Sequence, residues 1–158
     1  MNTKVMEIAL AKYFDPCKNL IVPNVSYGMI RYECDLLLMS KSGYLTEIEI
    51  KISKQDLKKD RKKRHNHDSR KIKYLYFAIP YKLIEDKDKA GIIVVKNNLR
   101  NFNPFYKQRN ICEIIRKPKI LNKYKLSDKE KFKLARLGAI RVWKLKSIIC
   151  KNDKSRKI

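Results

Sequence analysis

The chain has 158 residues, room for one hydrophobic core and little more, and 44% of them are hydrophobic, which excludes a disordered polyelectrolyte. Its 39 Lys and Arg against 16 Asp and Glu leave a net charge of +23, so the expected partner is a polyanion: DNA first, RNA second. No apolar run nears the ~18 residues of a membrane span and the first residues lack a signal-peptide stretch, so the reading is a soluble, cytoplasmic protein with no membrane partner.

In chain order, Thr3 to Phe14 suits a short opening helix, and Leu20 to Val25, broken by Pro23, suits an edge strand. Tyr32 to Met39 and Tyr44 to Ile52 alternate with the period of a strand, separated by Lys41-Ser42-Gly43. A three-residue hairpin loop of this kind ends on a left-handed residue, where Gly43 stands. Ser53 offers an N-cap, with Asp56 three residues on, to a basic helix reaching about Arg64. Its cations Lys54, Lys58, Lys59, Arg61, Lys62, Lys63 and Arg64 are candidate phosphate contacts, with a solvated basic face as the plain alternative. His65-Asn66-His67 reads by default as a polar loop, because two histidines at this spacing with no third ligand nearby make an unconvincing metal site.

Ile72 to Pro80 and Ala90 to Lys96 are the next strands. Tyr74, Tyr76 and Tyr81 could stack bases, although strand aromatics more often serve the core. Asn97 to Tyr124 carries no clear organisation. Ser127 with Glu130 forms a capping box, after which Phe132, Ala135, Ala139, Val142 and Trp143 recur at helical spacing to about Ile149, a stripe expected to cover the sheet. The division is therefore one domain, residues 1–150, with a basic tail, 151–158. Cys17, Cys34, Cys112 and Cys150 are scattered and expected to be free thiols.

With the loop at Lys41 to Gly43, Ser40 pairs with Tyr44, and the register places Asp35 opposite Glu49 and Glu33 opposite Lys51. Period two then puts Glu47, Glu49 and Lys51 on the face of Asp35, and Cys34, Leu36, Leu38, Thr46, Ile48, Ile50 and Ile52 on the other, one face for core and one for chemistry or solvent. Four of the 16 acids, Glu33, Asp35, Glu47 and Glu49, thus gather on one face of a basic chain, an arrangement that repels itself unless a cation sits there. Asp35 and Glu49 could share a divalent ion, with Lys51 beside them to orient water or steady developing charge. An E-x-K triplet alone is mostly chance, and alternating charges are ordinary on a half-exposed strand.

The wording around the triplet adds weight: Glu33-Cys34-Asp35-Leu36-Leu37-Leu38, then Ser42-Gly43-Tyr44-Leu45-Thr46-Glu47-Ile48-Glu49-Ile50-Lys51-Ile52-Ser53, then Asp56 and Asp60 before Arg61-Lys62-Lys63. Tyr76-Phe77-Ala78-Ile79-Pro80 and Ala90-Gly91-Ile92-Ile93-Val94 follow. This stretch, roughly Glu33 to Val95, resembles MmcB-like and related phage proteins of the PD-(D/E)xK superfamily. The resemblance implies an α/β fold with a restriction-endonuclease-like core (αβββαβ), a mixed sheet flanked by helices. It implies a Mg²⁺- or Mn²⁺-dependent deoxyribonuclease, in DNA repair, recombination or phage DNA processing, encoded by a bacterium or a phage. Asp35 and Glu49 match the metal carboxylates, Lys51 the catalytic lysine, and the Ile50 carbonyl completes the expected metal set; Glu7, Glu33 and Glu47 are supporting acids. Cys34 stands where the family name has proline. Many nucleases of this kind act as homodimers. The rival reading is a non-catalytic nucleic-acid-binding protein that keeps the same fold.

Overall fold

The computed structural model describes residues 2–25, 28–60, 67, 69–83, 90–96 and 112–155. Their order is α1 (Thr3–Phe14), β1 (Leu20–Val25), β2 (Cys34–Met39), β3 (Leu45–Ile50), α2 (Lys54–Asp60), β4 (Ile72–Pro80), a 3-10 turn (Tyr81–Leu83), β5 (Gly91–Val95), β6 (Cys112–Arg116) and α3 (Asp128–Ser155). The strands form one six-stranded mixed sheet in sequence order. β1, β2 and β3 run antiparallel in turn, β3, β4 and β5 run parallel, and β6 returns antiparallel beside β5.

Local chemistry explains the boundaries. Asn2 caps α1 by accepting from Val5 N at 2.9 Å. Ser53 Oγ accepts from Asp56 N at 3.1 Å at the start of α2, and Ser127 and Glu130 close the capping box of α3, with Ser127 N donating to Glu130 Oε2 at 2.9 Å. The β2–β3 hairpin turns as its sequence requires: Ser40 N donates to Tyr44 O at 3.0 Å, Gly43 N to Ser40 O at 2.9 Å, and Gly43 has φ of +83°. Gly91 answers a different need, since a Cβ there would lie 2.5 Å from the Tyr76 ring on the neighbouring strand.

Both faces of the sheet are covered. On one, Met6, Ala9 and Leu10 of α1 pack on Leu36, Ile48, Ile50, Ala78, Ile93 and Val95. On the other, α3 supplies Leu134 to a cluster with Val22, Leu37, Leu45 and Ile72. Leu57 of α2 joins Ile79, Ile92 and Val94 farther along that same face. β3 is buried along its whole length, so the hairpin is not half-exposed as its alternation suggested: Glu47, Glu49 and Lys51 are all buried. The error has a plain cause. A period of two tells which residues share a face and is silent on what lies over it.

Other expectations also shift. β6 falls within the stretch that showed no organisation, since five residues ending in Arg116 are too short to announce a strand. The residues 151–155 assigned to a basic tail continue α3. The stripe Phe132, Ala135, Ala139, Val142, Trp143 faces water, with Phe132 71% and Trp143 68% exposed; α3 instead meets the sheet through Leu134 and Leu137, and Arg141 donates to Asn24 O of β1. α2 is described as far as Asp60, so the expected helical cations Arg61, Lys62, Lys63 and Arg64 lie outside the described residues, as do His65 and Asn66. All four cysteines are free thiols, Cys34 and Cys112 buried.

The packing face of α3 is open to test by denaturation. Leu134→Ala, at a side chain with 0% exposure, is expected to cost about 2–5 kcal/mol in urea unfolding, and Phe132→Ala no more than about 0.5 kcal/mol. Equal costs at the two positions would show that the stripe is covered in solution.

Candidate functional site

The site lies on the middle strand, on the face that α2 and α3 cover at its two ends. The hairpin register is as expected from Met39↔Leu45 to Leu36↔Ile48, where it ends short of the expected pairing of Asp35 with Glu49. Asp35 Oδ2 accepts from Ile50 N at 2.7 Å, so the carboxylate reaches across to the β3 backbone. On β3 itself, Lys51 Nζ donates to Glu49 Oε2 at 2.8 Å, an ion pair with both side chains under 10% exposed. The Lys51 ammonium also lies 5.8 Å from the centre of the Phe77 ring on β4.

Glu47 is held more completely. Tyr32 OH donates to its Oε2 at 2.6 Å, and His67 Nδ1 lies 2.6 Å from its Oε1, the carboxylate having 0% exposure. The rings of Tyr32 and Phe77 both meet His67 edge-on, at centroid distances of 5.8 and 5.9 Å. Burial pushes the Glu47 carboxyl above its ordinary range, the hydrogen bond and charge of His67 and the hydrogen bond of Tyr32 pull it back, and the Glu49 charge raises it. The Tyr32 hydroxyl is pushed up by burial and then by the Glu47 charge, so it stays a donor.

Each expected residue can now be placed. Glu49 and Lys51 share a face and touch. Asp35 is half-buried and accepts from Ile50 N; because the alternation of β2 breaks here, period two does not carry it onto the face of Glu49 and Lys51 as expected. Glu7, on α1, is near enough to Asp35 to feel it: burial first, then the Asp35 charge, raises its carboxyl, while an Asn24 hydrogen bond lowers it. Asn24 holds φ of 51° in β1, in the ladder gap beside Val25↔Cys34. Glu33 is a correction, because it is exposed and precedes β2, outside the buried group, so the expected pairing with Lys51 is not made. Cys34 is another: it packs with Leu37 and Leu45 and not with Leu36 and Ile48, because the alternation of β2 breaks at Asp35. Burial, followed by the charges of Glu47, Glu49 and Asp35, raises its thiol pKa, keeping it protonated. Lys54, Lys58 and Lys59 stand exposed on α2.

Two residues of the site were not expected in it. His67 was read as part of a polar loop and is 5% exposed against Glu47, with φ of 52°. Tyr32 was read as one more strand residue. No spacing rule links them, since they lie 15 and 20 residues from Glu47 and reach it from different loops. Glu47, Glu49 and His67 each place a ligand atom within 4.8 Å of the others, a group that could hold a metal ion.

No family model matches the sequence, and no curated protein matches it. Among solved structures, the chain is similar to the SPO1766 protein of unknown function from Silicibacter pomeroyi, at 14% identity and a TM-score of 0.61, over 94% of this chain and 90% of that one. At such identity the likeness establishes a shared fold and says nothing of activity.

The raised Glu47 carboxyl gives a signed pH dependence. A folded-state pKa above the unfolded value contributes stability that is complete below about pH 4.5 and is lost as pH rises through the folded value. Glu47→Gln removes that loss, so its deficit against the wild type is expected to shrink as the pH of urea titrations rises from acid to neutral. A deficit that widened over the same window would show that pairing with His67 outweighs burial. Tyr32→Phe, which strips one donor from a buried carboxylate, is expected to cost about 1–3 kcal/mol at neutral pH.

Proposed function

We propose that this chain is a metal-dependent nuclease of the restriction-endonuclease-like type that hydrolyses phosphodiester bonds in DNA. The observation that carries the reading is a pair of short contacts at the end of β3: Asp35 Oδ2 accepts from Ile50 N at 2.7 Å, and Lys51 Nζ donates to Glu49 Oε2 at 2.8 Å. The element order α1, β1, β2, β3, α2, β4 agrees with the core that the resemblance implies. The net charge of +23 supports a nucleic-acid substrate.

Glu47, Glu49 and His67 bring ligand atoms within 4.8 Å of one another, two carboxylates and a nitrogen of the kind Mn²⁺ accepts. Asp35 and the Ile50 carbonyl are the oxygen donors that the resemblance would add for Mg²⁺. When bound, such an ion polarises the scissile phosphate and acidifies its water. Lys51, paired with Glu49 at 2.8 Å, would steady the charge developing on the phosphate. Glu47 has both oxygens engaged by Tyr32 and His67, which suits it to fixing the strand more than to moving protons. Glu7, facing Asp35 from α1, is the supporting acid on the far side.

One observation favours the rival, a nucleic-acid-binding protein without catalysis: Glu49 and Lys51 compensate each other, and Glu47 is satisfied, with no ion required. The two readings part in a nicking assay on supercoiled plasmid with Mg²⁺ or Mn²⁺. The nuclease reading expects cleavage that falls by about 100-fold or more in both Asp35→Ala and Lys51→Ala, with circular dichroism unchanged. Equal cleavage by wild type and both variants would place the activity elsewhere. A wild type that neither nicks DNA nor takes up Mn²⁺ in calorimetry with DNA present would leave the binding protein.

A further inference from the structure

A second feature lies at the end of the sheet. The parallel strands β3, β4 and β5 finish together, and a cavity of about 660 Å³ opens there, lined by Ile52, Pro80, Tyr81, Lys82, Leu83, Val95 and Lys96. The crevice beyond the carboxyl ends of parallel strands is where open α/β sheets bind ligands, and this volume lies within the roughly 300–1,000 Å³ of small-molecule sites. Its chemistry is specific. Tyr81 keeps 64% of its surface in water and Ile52 42%, although both border the cavity. The strand turns sharply at Pro80 into the 3-10 turn, which carries Tyr81 off the core that Tyr76 partly joins. Lys82 is exposed at the mouth, and Lys96 Nζ is held 2.7 Å from Glu113 Oε2.

We propose that this cavity receives an unstacked nucleobase of a single-stranded nucleic acid, with Tyr81 as its stacking platform and Lys82 beside the adjoining phosphate. The inference rests on the nucleic-acid substrate proposed above and adds its strandedness. A bare phosphate would gain nothing from Ile52, Pro80, Leu83 and Val95, whereas a base has a flat apolar face and carries its phosphate to the rim. A duplex keeps both faces of each base stacked, so only a single strand, a flap or a flipped nucleotide can fill the cavity. Ile52 follows Lys51 directly, and one strand residue advances about 3.3 Å, so the cavity opens at the same end of β3 as the proposed reaction centre.

Fluorescence anisotropy with the full chain tests this in EDTA, where cleavage cannot interfere. The probes are a labelled thymidine oligonucleotide and a labelled duplex of the same length at one salt concentration. The single strand is expected to bind more tightly than the duplex. Tyr81→Ala is expected to weaken the single strand about tenfold or more and leave the duplex within about twofold, and Tyr81→Phe to keep wild-type affinity. Loss on both probes alike, or on neither, overturns the proposal, as does Tyr81-dependent binding of free thymidine monophosphate without a preference for the strand. Urea midpoints for the three proteins exclude unfolding as the cause of a loss. Tyr81-dependent strand binding without nicking would sink the nuclease reading alone, and nicking without Tyr81 dependence would sink this one alone.

Discussion

The structure depends on a carboxylate in the middle of its sheet. Glu47 has no exposed surface, and a buried carboxylate costs several kcal/mol unless its oxygens are satisfied. Tyr32 and His67 satisfy them at 2.6 Å each. Tyr32 belongs to the segment that enters β2, and His67 to the crossover between α2 and β4. The clasp therefore ties His67 to the centre of the sheet and fixes the hydroxyl of Tyr32, whose ring already packs with Leu37 and Leu45. It also sets the frame for Glu49 and Lys51, which occupy the next two positions on the same face of β3.

Much of this was legible in the sequence, for reasons that differ from element to element. The hairpin could be read because Gly43 fixes the turn, the turn fixes the register, and period two fixes the faces. Glu49 beside Lys51 followed, whereas the pairing of Asp35 with Glu49 lies past the point where the β2–β3 ladder ends. The helix starts could be read because Asp56 and Glu130 stand three residues from their hydroxyl caps. What the sequence hid was tertiary. The alternation of β3 looked half-exposed because the residues covering its acidic face come from elsewhere in the chain. His67 looked like loop because its partner is 20 residues away. The helical spacing of Phe132, Ala135, Ala139, Val142 and Trp143 pointed to the wrong face of α3, because only Leu134 and Leu137 mark the side that meets the sheet.

The two ends of β3 serve different purposes. Toward Leu45 its side chain joins the cluster of Val22, Leu37, Ile72 and Leu134, an apolar seal under α3. Toward Ile50 the strand leaves regular pairing with β2, and Asp35 uses its side chain to satisfy the β3 backbone. A strand that stayed paired to its end would keep its own carbonyls and amides for its neighbour. Releasing β2 early puts a carboxylate where a ladder bond would have been, near enough to Glu7 of α1 for its charge to raise that carboxyl.

The Glu49–Lys51 pair is also an argument about how such a site can rest before substrate arrives. Two charges buried this deeply carry a desolvation cost that only a close counter-charge offsets, and Lys51 Nζ meets Glu49 Oε2 at 2.8 Å. On the proposed reading, Glu49 would help hold the cation and Lys51 would turn its charge to the phosphate. The desolvation of both side chains is already met in the folded protein, so it would not fall at the moment of reaction. A leucine at either position would pack at less cost, but only a charged pair can make this exchange.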